Sequence, residues 1–133
     1  GAAVRRVIAH RDTDAVTIAA LRDRLEAGLL AALPGSRVLG TEPRLPNTLS
    51  FVLPPGVEAE PVMTRLDRVG VAVSAGSACH SGSPTPSRVL RAMGVPPLDC
   101  FRALRLSLGH GNDVAQIDRV LALLPPIAQE VAE

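Results

Sequence analysis

The sequence predicts an α/β domain in which helices cover one face of a small sheet. Three observations carry this. Amphipathic stretches with helical spacing interleave with short runs of apolar and β-branched residues. The 11 Gly and 12 Pro fall largely between these runs, where they punctuate. The chain has 133 residues, 47% hydrophobic and 20% charged, which suits one domain. With two Phe and no Trp or Tyr, the core must be built from Leu, Val, Ile and Ala. No repeat, low-complexity tract or linker divides it.

Residues 14–33 form the strongest helix signal. Val16, Ala20, Leu21, Leu25, Leu29 and Leu33 recur near helical spacing, with Arg22, Asp23, Arg24 and Glu26 between them. Thr13 or Asp14 is a candidate cap, and Pro34-Gly35-Ser36 is a stop. The first dozen residues also read as helical. Residues 37–39 suggest a short strand, and 48–53, "TLSFVL", a better one closed by Pro54-Pro55-Gly56. A helix over 58–70 places Val62, Met63, Leu66 and Val69 on one side, with Pro61 in its first turn and Gly70 as its stop. "VAVS", 71–74, reads as a strand. Residues 86–94 have a Pro at a helix start and a Gly at its end. Residues 101–109 alternate as a strand, with Arg102 and Arg105 on opposite faces. Residues 113–133 form a closing helix capped by Asn112 or Asp113 and interrupted by Pro125-Pro126.

A net charge of +1 gives no bulk attraction to nucleic acid or anionic lipid. No apolar run approaches the roughly 18–20 residues of a membrane span, and no signal peptide opens the chain. The two cysteines, 79 and 100, have no metal-ligand companions at zinc spacing, so a reducing, cytoplasmic setting is expected. All 14 basic residues are Arg, and no Lys occurs. The chain opens on Gly rather than Met, as a processed product or a piece of something longer would.

"VSAGSACHSGSPTPSRVL", 73–90, stands apart. Cys79 sits amid small and polar residues, where a structural cysteine would find little to pack against. Small neighbours leave a sulfur accessible, and Gly76 and Gly82 free the backbone. A nucleophilic thiolate would want positive charge nearby, and His80 and Arg88 are close in sequence. The competing reading is a Gly/Ser turn with an incidental cysteine. Phosphate cradling is weakly indicated, since the stretch matches neither the Walker pattern nor GxGxxG. Cys100, beside Phe101 at the predicted strand's start, reads as a small buried hydrophobe. His10 and His110 read as surface or packing residues.

"GVAVSAGSACHSGSPTPSRVLRAMGV", 70–95, and "RALRLSLG", 102–109, closely resemble the C-terminal small domain of cysteine desulfurases, pyridoxal-phosphate enzymes of the class V aminotransferase fold (fold type I) that serve iron–sulfur cluster assembly. "RLPNTLSFVLPPGVEAEPVMTRLDRVG" extends the resemblance upstream. It implies that 1–133 is one such domain, with 1–33 a leading helix region and 37–133 the sheet and helix layer. It also implies that Cys79 takes sulfur from L-cysteine as a persulfide, leaving L-alanine, and that Arg105 grips the substrate carboxylate through a bidentate pair. Asn47, in "RLPNTLS", falls on the family's substrate side. His80 departs from the small hydroxyl residue usual after the cysteine.

The family holds pyridoxal 5'-phosphate through a lysine on a larger domain. A chain without lysine cannot form that link, so this chain is expected to lack the cofactor domain and to be inactive alone. A sulfur-acceptor protein, such as an iron–sulfur scaffold, and a homodimer are the implied partners. Two alternatives stay open: a selenocysteine lyase-like relative, and a cofactor-free sulfur-carrier or partner-binding module.

Overall fold

The computed structural model describes residues 1–40, 42–75 and 85–132, apart from the side chains of Ala3, Arg6 and Val7. Its elements run α1 (Ala2–Ala32), β1 (Arg37–Leu39), β2 (Thr48–Val52), α2 (Ala59–Arg68), β3 (Ser74–Ala75), α3 (Arg88–Ala92), α4 (Pro97–Phe101), β4 (Ala103–Ser107) and α5 (Val114–Ala132). The four strands form one sheet in the order β1-β2-β4-β3, antiparallel throughout. This is the expected α/β class.

The centre of the sheet is the β2–β4 pair. Five residue pairs align, from Thr48↔Ser107 to Val52↔Ala103. Side chains alternate across a strand, so Leu49 and Phe51 share one face with Leu104 and Leu106. All four are buried. Against them pack Leu21, Leu25 and Leu29 of α1 with its capping residue Leu33, Val62 and Leu66 of α2, and Ile117, Leu124 and Ala128 of α5. Burying a side chain such as Leu stabilises by about 1.5–3 kcal/mol, so this apolar layer sets the fold.

The first helix runs unbroken from Ala2, so neither Thr13 nor Asp14 caps a start. Asp14 instead meets His110, 3.2 Å away. Of the expected apolar stripe, Leu21, Leu25, Leu29 and Leu33 are buried, while Val16 and Ala20 are not: the first turns of α1 lie outside the core, and Ala20 falls on the exposed side of the helix. Val16 is 73% exposed, and Val4 and Ile8 are exposed too. At its C-terminal end the hydroxyl of Ser36 donates to the carbonyl of Leu33 at 2.6 Å, and Gly35 takes φ +85°. Where α1 crosses α5, a Cβ on Gly28 would fall 2.5 Å from the side chain of Leu121. Glycine there lets the two helices approach.

Other expectations shift in place. Val69 is the C-cap of α2 and is exposed rather than packed. Of the expected strand 71–74, only Ser74 pairs, joined by Ala75. Val71 is drawn away, its N–H bonding Leu66 at the end of α2. The strand expected at 101–109 starts at Ala103, because α4 occupies 97–101. Pro97 stands in the first turn of α4 and Asp99 follows it, a start signal overlooked in the sequence. Cys100 is therefore helical, and Arg102 caps α4 instead of displaying a side chain on the opposite strand face. In α5, Asp113 accepts from the N–H of Gln116 at 2.8 Å, as a capping residue does. Pro125 and Pro126 do not interrupt α5. Burial of Leu124, Pro125 and Ala128 holds that segment helical against the core despite two missing donors.

A smaller cluster joins Leu39, Val52, Leu90, Val95, Cys100 and Ala103, so α3 and α4 cover one end of the sheet's other side. Ser87 caps α3 through the N–H of Leu90. Asp99 ties this end together, pairing with Arg37 at 2.7 Å and with Arg102. These contacts, Arg37 first, hold the Asp99 carboxyl below its ordinary value of 3.8.

Two outcomes follow from this packing. In urea titrations, Leu104→Ala is expected to cost about 2–5 kcal/mol, while Val16→Ala changes stability by no more than about 0.5 kcal/mol. A large loss at Val16 would contradict the placement of the first turns outside the core. Asp99 has a depressed folded-state pKa, so its contribution is present above its unfolded value and lost as pH falls through the folded one. Stability should therefore decline in acid below about pH 4, and Asp99→Asn should flatten part of that decline. An unchanged acid limb in the variant would show that the pairing contributes nothing.

Candidate functional site

The face of the β2–β4 pair turned away from the core carries the chemistry. Alternation that buries Leu49 and Phe51 puts Thr48 and Ser50 on the other side. On β4 it places Arg105 and Ser107 beside them, both exposed. The register makes Ser50 the cross-strand partner of Arg105 on one flank and Ser74 its partner on the other. Thr48 pairs with Ser107 in the next row. The result is a guanidinium set in a field of hydroxyls.

Arg105 Nη2 lies 3.5 Å from Ser74 Oγ, and among the described residues no carboxylate pairs with it. An arginine without an internal counter-ion is available to an external anion, and its planar fork suits a carboxylate. Asn47 precedes β2. Its carbonyl accepts the N–H of Leu108 at 2.8 Å, and its Oδ1 accepts from the hydroxyl of Thr48 at 3.3 Å. These contacts put it at the margin of the polar face without touching Arg105. Arg102, the other arginine of this region, donates to the carbonyl of Leu53 at 3.0 Å and pairs with Asp99. Its structural contacts leave it no role at the polar face.

Cys79 and His80 lie outside the described residues. What the structure does place is the approach to them: Ser74 and Ala75 of β3, the latter four residues before Cys79. Cys100 is 4% exposed, with Sγ 3.8 Å from the carbonyl of Val95. Burial pushes its thiol pKa up, against a smaller opposing pull from Arg91. It behaves as the small buried hydrophobe expected. His10 is exposed, and His110 is engaged with Asp14.

The hydroxyls around Arg105 escaped the sequence reading. Their signal is period two: Thr48 and Ser50 alternate with Leu49 and Phe51, and Arg105 and Ser107 alternate with Leu104 and Leu106. A cleft of about 350 Å³ opens between residues 70–73, β4 and α5, lined by Leu106, Leu108, Ile117 and Arg119 among others. Arg105 is not part of that lining. No group of three or more His, Cys, Asp or Glu residues could hold a metal ion among the described residues. No helix described is long and apolar enough to cross a membrane. A cofactor aldehyde needs an amine to form an imine, and the sequence has no lysine side chain to provide one. The residues present therefore do not fit a pyridoxal-phosphate anchoring site.

The chain belongs to the class-V aminotransferase family, whose model matches residues 3–120. Within that family it is similar to cysteine desulfurases. It is 50% identical over 112 residues to a cysteine desulfurase of Cereibacter sphaeroides, covering 84% of this chain and 29% of that one. It is 39% identical over 132 residues to the cysteine desulfurase NifS of Azotobacter vinelandii, covering 98% of this chain and 33% of the relative. Among solved structures, a NifS-like protein superposes with a TM-score of 0.78 at 27% identity, over 92% of this chain and 30% of the other. A NifS-like protein from Rickettsia africae superposes with a TM-score of 0.73 at 26% identity, over 90% of this chain and 30% of the other. The chain thus spans about a third of the length of these relatives.

The two thiols should separate in reactivity. Iodoacetamide on the native chain, mapped by mass spectrometry, is expected to label Cys79 well before Cys100, because a buried thiol with a raised pKa holds little thiolate. Preferential labelling of Cys100 would reverse the assignment.

Proposed function

We propose that this chain is the C-terminal small domain of a cysteine desulfurase, the part that carries the sulfur-accepting cysteine. One observation supports this above the others. Arg105 sits opposite Ser74, on the strand whose continuation runs within five residues to Cys79. The proposed sulfur nucleophile thus follows closely in sequence on the segment that flanks the proposed carboxylate grip.

Arg105 binds the carboxylate of L-cysteine by a two-pronged, charge-assisted contact, with Asn47 at the margin of the same face. Holding that end orients the substrate sulfur toward Cys79. The Cys79 thiolate attacks that sulfur. An S–S bond forms, the Cβ–S bond breaks, and Cβ takes a proton to leave L-alanine. The persulfide on Cys79 then passes its outer sulfur to an acceptor protein such as an iron–sulfur scaffold. Pyridoxal 5'-phosphate would be held by residues outside this chain, on a larger domain of the complete protein, and would there supply an electron sink. The complete enzyme is read as a cytoplasmic homodimer, and this chain by itself as inactive.

A second reading, a sulfur carrier without cofactor chemistry, is favoured by the absence of lysine. The mass of the protein from its natural source separates the two. A chain about three times this length supports the enzyme, as the shares of the relatives covered imply.

Arg105→Lys in the complete enzyme tests the carboxylate grip. Lysine keeps the charge and loses the fork, so apparent cysteine affinity should fall roughly ten- to hundredfold, the equivalent of about 1.5–3 kcal/mol. Cys79→Ser should still bind cysteine and release no sulfur. Unchanged cysteine kinetics in a folded Arg105→Lys enzyme would remove Arg105 from the site.

A further inference from the structure

Arg22 is buried to 7% relative exposure, the one charged residue so enclosed among the described residues. It lies on the core side of α1, between Leu21 and Leu25, where a charge is costly unless compensated. Two contacts compensate it. Its Nη1 donates to the carbonyl of Leu45 at 2.8 Å, across 23 residues of sequence. Its Nε and Nη2 donate to Asp23 at 2.9 and 2.7 Å. One turn further along, Glu26 meets Arg44 Nη2 at 2.6 Å. Glu26 Oε2 is sealed from solvent, and among the described residues this ion pair is what it meets. Arg44 Nε also reaches Glu42 at 3.0 Å.

Two arginines therefore fasten one short segment to α1 from opposite directions. Arg22 reaches up from the helix to a backbone carbonyl, and Arg44 reaches down from the segment to a helix carboxylate. The segment is the lead into β2: Leu45, Pro46, Asn47, then Thr48 on the Arg105 face. Its far end is held by the Asn47–Leu108 hydrogen bond. Neither arginine reaches the polar face itself.

Resting on the reading of that face as a substrate site, we infer that Arg22 and Arg44 are positioning residues for substrate binding. Their clamp fixes Arg44–Asn47 so that Asn47 and Thr48 stand at a set place beside Arg105. A clamp of this kind acts on how well the substrate is held, since Cys79 lies on another segment.

The test uses the complete protein that carries this chain, with its cofactor, and L-cysteine as substrate. Arg22→Gln is expected to raise KM about tenfold or more with kcat changed by less than about threefold. Arg22→Lys, which keeps a charge and a donor for the Leu45 carbonyl, should recover most of the loss. Arg44→Gln, at a less buried position, should raise KM in the same way and decides the matter if Arg22→Gln does not fold. A KM within about twofold of the parent in the folded variants, or a fall in kcat with KM unchanged, overturns the clamp. Arg105→Lys measured alongside keeps the two ideas apart. If it alone raises KM, the clamp is wrong and the site stands. If the clamp variants raise KM and it does not, the clamp stands and the carboxylate assignment falls.

Discussion

Everything in this molecule depends on the pairing of β2 with β4. Those five aligned residue pairs decide which side chains face the long helices and which face away. Because the side-chain period of a strand is two, a one-residue slip of β4 would expose Leu104 and Leu106 and drive Arg105 into the leucine layer. Burying an unpaired guanidinium there would cost far more than any contact on the polar face returns. The register that builds the core is therefore the same register that displays Arg105, and stability and site geometry cannot vary independently along these strands.

The apolar layer also explains why so much of the fold was legible from residue types. Leu21, Leu25, Leu29 and Leu33 repeat at helical spacing, and each is buried. Leu49 and Phe51 alternate with polar residues and form the inner face of β2. Glycines with positive φ at 35, 70 and 94 stand where the helices were expected to stop. What went astray has physical causes too. Val16 fits the stripe of α1 but has nothing opposite it, and periodicity reports a helix face without reporting what that face meets. Pro125-Pro126 carries a strong local signal for a break, and burial of the segment overrides it. The short α4 was hidden because five residues offer too little pattern to outweigh the alternation that follows.

The candidate site was legible in part and for a different reason. Arg105 and Cys79 are visible through a specific motif, which is a matter of family resemblance rather than of pattern physics. The hydroxyls of Thr48, Ser50, Ser74 and Ser107 come from three strands, and only the register assembles them. Arg22 is harder still. On α1 it reads as one more polar residue between leucines, and its partner, the carbonyl of Leu45, has no signature in sequence at all.

The place of β4 inside the sheet has a consequence of its own. Among the described residues, Ser74 and Ala75 pair with Arg105 and Leu104 from one side, and Ser50 and Phe51 pair with the same two from the other. Free energies of local opening scale with what must be broken, so a stretch paired on both sides lies near the top of the range. The backbone beneath Arg105 thus opens only with the sheet, and amide exchange along Leu104 and Arg105 would keep time with that of the leucine layer behind them.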